Sequence, residues 1–130
     1  MVDRSVFKPN EFYSRQIVLP EFGRGGQEKL RRSKAAVIGL GGLGSASALY
    51  LALAGVGHLR LVDQDTVELN NLHRQVLYNL DNLRYPKVEA AAQRLQKMNA
   101  EVKLEPVPEN VRESNVDRIV RGMDCVVDGL

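Results

Sequence analysis

Ala35-Ala36-Val37-Ile38-Gly39-Leu40-Gly41-Gly42-Leu43-Gly44 joins a short apolar run to a glycine-rich turn. The run is of strand length, bounded by Lys34 and Gly39, and reads as a strand buried in a parallel sheet. Ser45 to Ala54 is rich in alanine and leucine and suits a helix, which Gly55 and Gly57 end. Leu59-Arg60-Leu61-Val62 is a second strand that stops at Asp63. Strand, glycine turn, helix, strand and acid thus fall inside about thirty residues, the span of one βαβ unit.

Gly39-Leu40-Gly41-Gly42-Leu43-Gly44 matches G-x-G-x-x-G, a pattern that is weak alone and gains meaning from this context. Gly39 permits a tight turn, Gly41 lets a phosphate approach the backbone, and Gly44 lets helix and strand lie close. The helix start that follows Gly42 and Gly44 offers unpaired N–H donors and a partial positive charge, which suit an anion. Asp63 follows Gly44 by nineteen residues, where a carboxylate accepts hydrogen bonds from ribose hydroxyls. The plainer reading is that the glycines only make a turn and Asp63 only caps the next loop. The glycines do not separate ATP from NAD or FAD.

Further along, 64–82 has no clean period and reads as a long connection holding one short helical turn, a length that hints at function. Pro86 to Asn99 is a helix, with Val88, Ala91, Ala92, Leu95 and Met98 on one face. Val102, Leu104 and Val107 suggest a third strand, interrupted by Pro106 and Pro108. Ser114 is placed to cap a helix ending at Gly122, and Cys125 to Val127 is a fourth strand, predicted to be buried. Before the first strand, Phe12, Ile17, Val18, Leu19 and Phe22 are apolar anchors. Gly23, Gly25 and Gly26 turn the chain into a short helix, Gln27 to Arg32. The alternation predicts an α/β fold with a doubly wound, mostly parallel sheet of about four strands.

Composition narrows the function. At 130 residues the chain is one domain at most, burying roughly two-thirds of its unfolded surface. Hydrophobic residues at 44% and charged residues at 26% exclude a disordered chain. A net charge of +2 without a basic stripe argues against nucleic acid as a partner. The longest apolar run is too short for a bilayer, and 1–10 shows no signal peptide, so a soluble cytoplasmic protein without membrane association is expected. One cysteine, Cys125, excludes an internal disulfide framework and a cysteine-built zinc site in this chain.

Charge also discriminates between ligands. A pyrophosphate carries about two negative charges, which glycine amides and a helix start manage. A triphosphate carries about four and calls for side-chain cations, because the leaving pyrophosphate gains charge in the transition state. Arg74 and Lys87 are candidates. Lys87 lies in the first turn of its helix, where the dipole disfavours a cation, and no carboxylate stands three or four residues on. An anionic ligand would offset that placement. The plainer reading makes Lys87 a solvated lysine, pairs Arg74 with Asp63, Asp65 or Glu68, has Asn70 and Asn71 fix a turn, and gives His73 a packing or hydrogen-bonding role.

Six stretches together resemble the ThiF/MoeB/HesA family, relatives of the ubiquitin-activating enzymes: Tyr13 to Ile17, Gly39 to Gly44, Ala54 to Gly57, Leu61 to Glu68, Asn71 to Gln75 and Pro86 to Glu89. The resemblance runs in register from about residue 11 to 130 and implies a Rossmann-like ATP-binding domain over 34–130. Segment 1–33 is then a helical segment carrying an arginine finger. That family adenylates the C-terminal glycine of a ubiquitin-like or sulfur-carrier protein, releasing pyrophosphate. By resemblance, the glycines contact nucleotide and Asp63 the ribose. Asn71, Arg74, Gln75 and Lys87 surround the phosphates. Arg15 reaches into the ATP site of a partner protomer, making a homodimer functional.

The family's fourth strand ends in Asp-x-Thr-Asp-Asn, whose later acid helps hold magnesium. Asp128 matches the earlier acid, so the magnesium ligand is expected just beyond Leu130, and Cys-x-x-Cys zinc pairs later still. The resemblance therefore implies an N-terminal nucleotide-binding part of an ATP-dependent adenylyltransferase, without a metal ligand of its own. Two alternatives stay open on the residues alone: an NAD-dependent oxidoreductase domain and a non-catalytic dimerisation or carrier-docking domain.

Overall fold

The computed structural model describes residues 3–130; Met1 and Val2, where the expected N-terminal segment begins, lie outside the described residues. Three short helices come first, α1 (Pro9–Phe12), α2 (Ser14–Ile17) and α3 (Gly23–Arg31). Strand β1 (Lys34–Ile38), helix α4 (Gly42–Ala54) and strand β2 (His58–Val62) form the βαβ unit. After a long connection come α5 (Lys87–Met98), β3 (Lys103–Val107), α6 (Val116–Val120) and β4 (Cys125–Asp128). All strand pairs are parallel, in the order β3-β2-β1-β4.

Side-chain alternation assigns the two faces of this sheet. Ala35, Val37, Leu59 and Leu61 pack under α4 and α5 with Ala48, Ala52, Val88, Ala91 and Leu95. Ile38 and Val62 project to the other face, against Ile119 of α6. Helices therefore cover both faces, as a doubly wound α/β sheet requires. Arg60 helps hold α6, donating from one guanidinium nitrogen to the carbonyls of Ile119 (2.7 Å) and Arg121 (2.9 Å).

Several boundaries differ from expectation, each for a local reason. Helix α3 begins at Gly23, so Gly25 and Gly26 are helical and only Gly23 turns the chain, at φ 58°. Val18 and Leu19, expected anchors, are 71% and 55% exposed. Polar bonds fasten the segment instead. Gln16 and Gln27 donate to the carbonyl of Ala54 (2.7 and 3.1 Å), and Asn99 donates to the hydroxyl of buried Tyr13 (2.7 Å). Pro106 lies within β3, tolerated because β3 is an outer strand. Asn115, not Ser114, stands before α6; its Oδ1 accepts from the Arg112 amide and its Nδ2 donates to the Asn110 carbonyl. Cys125, expected to be buried, is exposed, because β4 is the other outer strand.

The glycine turn is set by contact. A Cβ on Gly44 would fall 1.6 Å from the carbonyl oxygen of Gly39, whose own φ is +88°. Around Gly25 nothing lies within 4 Å of the same atom. Gly44→Ala is therefore expected to destabilise the protein by roughly 3 kcal/mol or more. Gly25→Ala, inside a helix with open space, is expected to stabilise it by roughly 0.5–1 kcal/mol. Urea denaturation of both variants checks the contrast.

Candidate functional site

The carboxyl ends of β1 and β2 meet the first turn of α4, the crevice where open α/β sheets bind ligands. A small hollow here is lined by Gly39, Asp63, Asp65, Glu109, Asn110 and Leu130. A larger one, about 470 Å³, opens among the N-terminal helices beside Tyr13, Arg24, Gln27 and Glu101. The smaller hollow touches Gly39 and Asp63 but carries three carboxylates, so it suits hydroxyl donors, and an anion would have to meet the glycine amides and the first turn of α4 beside it.

Asp63 gives both carboxylate oxygens to backbone: Oδ2 accepts from the Leu40 amide (2.8 Å) and Oδ1 from the Asp65 amide (2.7 Å). It thereby holds the glycine turn in place, and each oxygen keeps a second lone pair for a ligand. Beyond it, the connection closes on itself. Thr66 bridges Pro86, the Val67 amide donates to the Tyr85 carbonyl, and the Lys87 amide donates to the Asp65 carbonyl. Inside lie two short 3₁₀ turns, Leu69–Asn71 and Leu80–Asn82, where one was expected.

The closed loop carries its polar side chains back over the glycines. Gln75 is buried, its Nε2 3.7 Å from where a Cβ on Gly41 would lie, and its Oε1 has no hydrogen-bond partner. Arg74 lays its aliphatic stem over Gly42, 3.9 Å from the corresponding position, and donates to the Asn70 carbonyl (2.8 Å). No ion pair joins Arg74 to a carboxylate among the described residues, so the expected alternative pairing with Asp63, Asp65 or Glu68 is not made. Lys87 is 6% exposed, against the solvated alternative, and its ammonium meets only Asp65, at 4.0 Å, too long for a hydrogen bond. Asn71 is buried and serves the turn: Oδ1 accepts from the Glu68 amide and Nδ2 donates to Asn70.

Arg15 is not brought to this site within its own chain. It lies exposed on α2, next to Gln16, which bonds Ala54 at the far end of α4. At 1.5 Å per residue that end is about 18 Å from Gly42. At the other flank, the β4 register pairs Asp128 with Ile38, beside the glycine turn, and its Oδ1 accepts from the Leu130 amide. Among the described residues no group of three or more His, Cys, Asp or Glu side chains gathers to hold a metal, and no helix is long and apolar enough to cross a membrane.

Sequence reading missed Tyr78. It is buried, and its hydroxyl donates to the carbonyl of Leu40 (2.7 Å). Burial, then the nearby Asp63 charge, push the phenol well above its ordinary ionisation range, so it stays a donor. Its one sequence signal is an aromatic three residues after Gln75, following Val76-Leu77.

The ThiF family model matches residues 13–130. The chain belongs to the ThiF family. It is 45% identical over 116 residues to the sulfur carrier protein adenylyltransferase of Thermus thermophilus, covering 89% of this chain and 43% of that one. To the molybdopterin-synthase adenylyltransferase of Haemophilus influenzae it is 46% identical, covering 89% and 48%. Among solved structures, the tRNA N6-threonylcarbamoyladenosine dehydratase of E. coli, TcdA, in complex with ATP, superposes with a TM-score of 0.87 at 29% identity, over 93% of this chain and 49% of that one. This ThiF-family chain thus spans less than half the length of these proteins.

A buried lysine with one distant carboxylate adds little to stability. Lys87→Met, similar in volume, is expected to change the unfolding free energy by no more than about 1 kcal/mol. Thermal and urea denaturation check this; a loss several times larger would make Lys87 a structural residue rather than one held for a ligand.

Proposed function

We propose that this ThiF-family chain is the nucleotide-binding part of an ATP-dependent adenylyltransferase that activates the C-terminal glycine of a ubiquitin-like or sulfur-carrier protein. The observation that carries the reading is the pair Arg74 and Lys87. One has no carboxylate partner among the described residues, the other is buried, and both belong to the segment that closes beside the glycine turn. A cation with no carboxylate partner and a buried one only loosely paired with Asp65, beside a glycine turn, suit a polyanion with more charge than a dinucleotide's.

The fit extends to single atoms. Glycine amides and the start of α4 would take the phosphates, with Gln75 and Arg74 in van der Waals reach above Gly41 and Gly42. The unpartnered Gln75 Oε1 is free to accept from a bound group. The spare lone pairs of Asp63 would accept from ribose. Asn71 acts one step back, shaping the turn that carries Arg74. In the reaction a carboxylate oxygen of the carrier attacks the α-phosphorus, an acyl–phosphate bond forms, and the α–β bond breaks. Pyrophosphate leaves with the electron pair, and no proton moves. Arg74 and Lys87 oppose the charge growing on it, so positioning and charge supply the rate.

Arg15 belongs to this scheme only through a second protomer, since its own α4 holds it a helix length from its own glycines. The described residues do not make a magnesium site by themselves: Asp128 stands at the strand end beside Ile38, but it belongs to no group of three or more ligating side chains. Zinc has a single cysteine, exposed on an outer strand. No step is assigned to either metal.

ATP at 100 times its Kd is expected to stabilise the protein by about 2.7 kcal/mol, read as a rise in Tm. In the intact enzyme Arg74→Ala and Lys87→Ala are expected to abolish ATP–pyrophosphate exchange; normal exchange in both refutes their roles. Tight NADH binding with no response to ATP would instead select an oxidoreductase. Mixing inactive Arg15→Ala and Lys87→Ala protomers should restore part of the exchange, because one site of each hybrid dimer is intact. No recovery, with hybrids shown to form, refutes the trans arginine.

A further inference from the structure

Leu40 is the pivot of the glycine turn, and its backbone is bonded in an unusual way. It lies between the end of β1 at Ile38 and the start of α4 at Gly42, so neither ladder nor helix serves it. Its amide is taken by Asp63 and its carbonyl by Tyr78, both side chains, and the residue is fully buried. A buried backbone group must find a partner, and here each partner reaches in from another segment. Tyr78 comes from the closed loop, 38 residues away in sequence. Its own amide donates to the Gln75 carbonyl (3.2 Å), while the amides of Gln75 and Arg74 both donate to the Asn71 carbonyl. Moving Tyr78 therefore moves the turn that aims Gln75 and Arg74 at Gly41 and Gly42.

We propose that Tyr78 is a positioning residue: its hydroxyl bond to Leu40 locks the closed loop to the glycine turn and so sets Arg74 and Gln75 at the height of the phosphates. This rests on the ATP reading above. A phenol that only satisfied a buried carbonyl would affect stability and all ligands alike. A phenol that sets the phosphate-facing side chains affects ligands in proportion to their phosphates. Burial keeps it protonated, so the lock does not release with pH across the neutral range.

The test is calorimetric titration of the full chain with ATP and with adenosine, for the unaltered protein, Tyr78→Phe and Tyr85→Phe. Tyr85 lies on the same loop but is 57% exposed, and serves as the control. The preference for ATP over adenosine is expected to fall about tenfold in Tyr78→Phe, with adenosine affinity unchanged and Tyr85→Phe unaffected. Equal losses for both ligands, or no change in the ratio, overturn the proposal while leaving ATP binding intact. An unaltered protein that binds neither ligand, or shows no preference for ATP, refutes the nucleotide reading itself and Tyr78's role with it. A measurement free of any variant is amide exchange in the unaltered protein. ATP should slow exchange at Leu40 and at Gln75 together; slowing confined to 40–44 overturns the coupling.

Discussion

The approach of α4 to the carbonyl of Gly39 is the constraint on which the rest of this molecule depends. A Cβ at Gly44 would overlap that oxygen at 1.6 Å, so only hydrogen lets the helix begin where it does. Because the helix begins there, its unpaired amides face the crevice instead of a neighbouring strand. The same closeness brings Gly129 against the turn: a Cβ on Gly39 would lie 2.9 Å from the Gly129 carbonyl. Three backbone segments thus converge with almost no side-chain packing between them. Leu40 anchors the turn in the apolar core, and Asp63 and Tyr78 add directional bonds to its backbone.

The charge arrangement follows from how the long connection closes. Bonded to itself at 65–67 and 84–87, it also sends Val67, Leu77 and Tyr78 into the main apolar core beneath α4 and α5. A loop so closed loses little further entropy on meeting a ligand, which favours binding through preorganisation. Arg84 takes the left-handed conformation (φ 70°), a cost borne where the loop turns back to meet Val67.

Much of the fold was legible because it is written in short-range terms. Apolar runs of strand length, a glycine turn, and an apolar stripe on 86–99 each report on their own segment. The failures are instructive for the same reason. Val18 and Leu19 look like anchors by composition, yet the N-terminal helices are fastened by glutamines and a tyrosine whose partners lie far along the chain. Cys125 looks buried because β-branched neighbours suggest a central strand, and only the strand order shows that it is an outer one. For the candidate site, the glycines, Asp63, Arg74 and Lys87 stand out in the sequence as residue types at a spacing. That Asp63 also clamps the turn, that Asn71 serves its own turn, and that Tyr78 reaches Leu40 were not, since each depends on a bond across distant segments.

The two flanks of the sheet are chemically unequal. On one side β3 contains Pro106 and is followed by Pro108, so that border offers an interrupted row of amide donors. On the other, β4 runs Cys125-Val126-Val127-Asp128 with no proline, and its free border is intact. Of the two borders it is therefore β4's, beside the carboxyl end of β1, that keeps an uninterrupted row of backbone donors and acceptors.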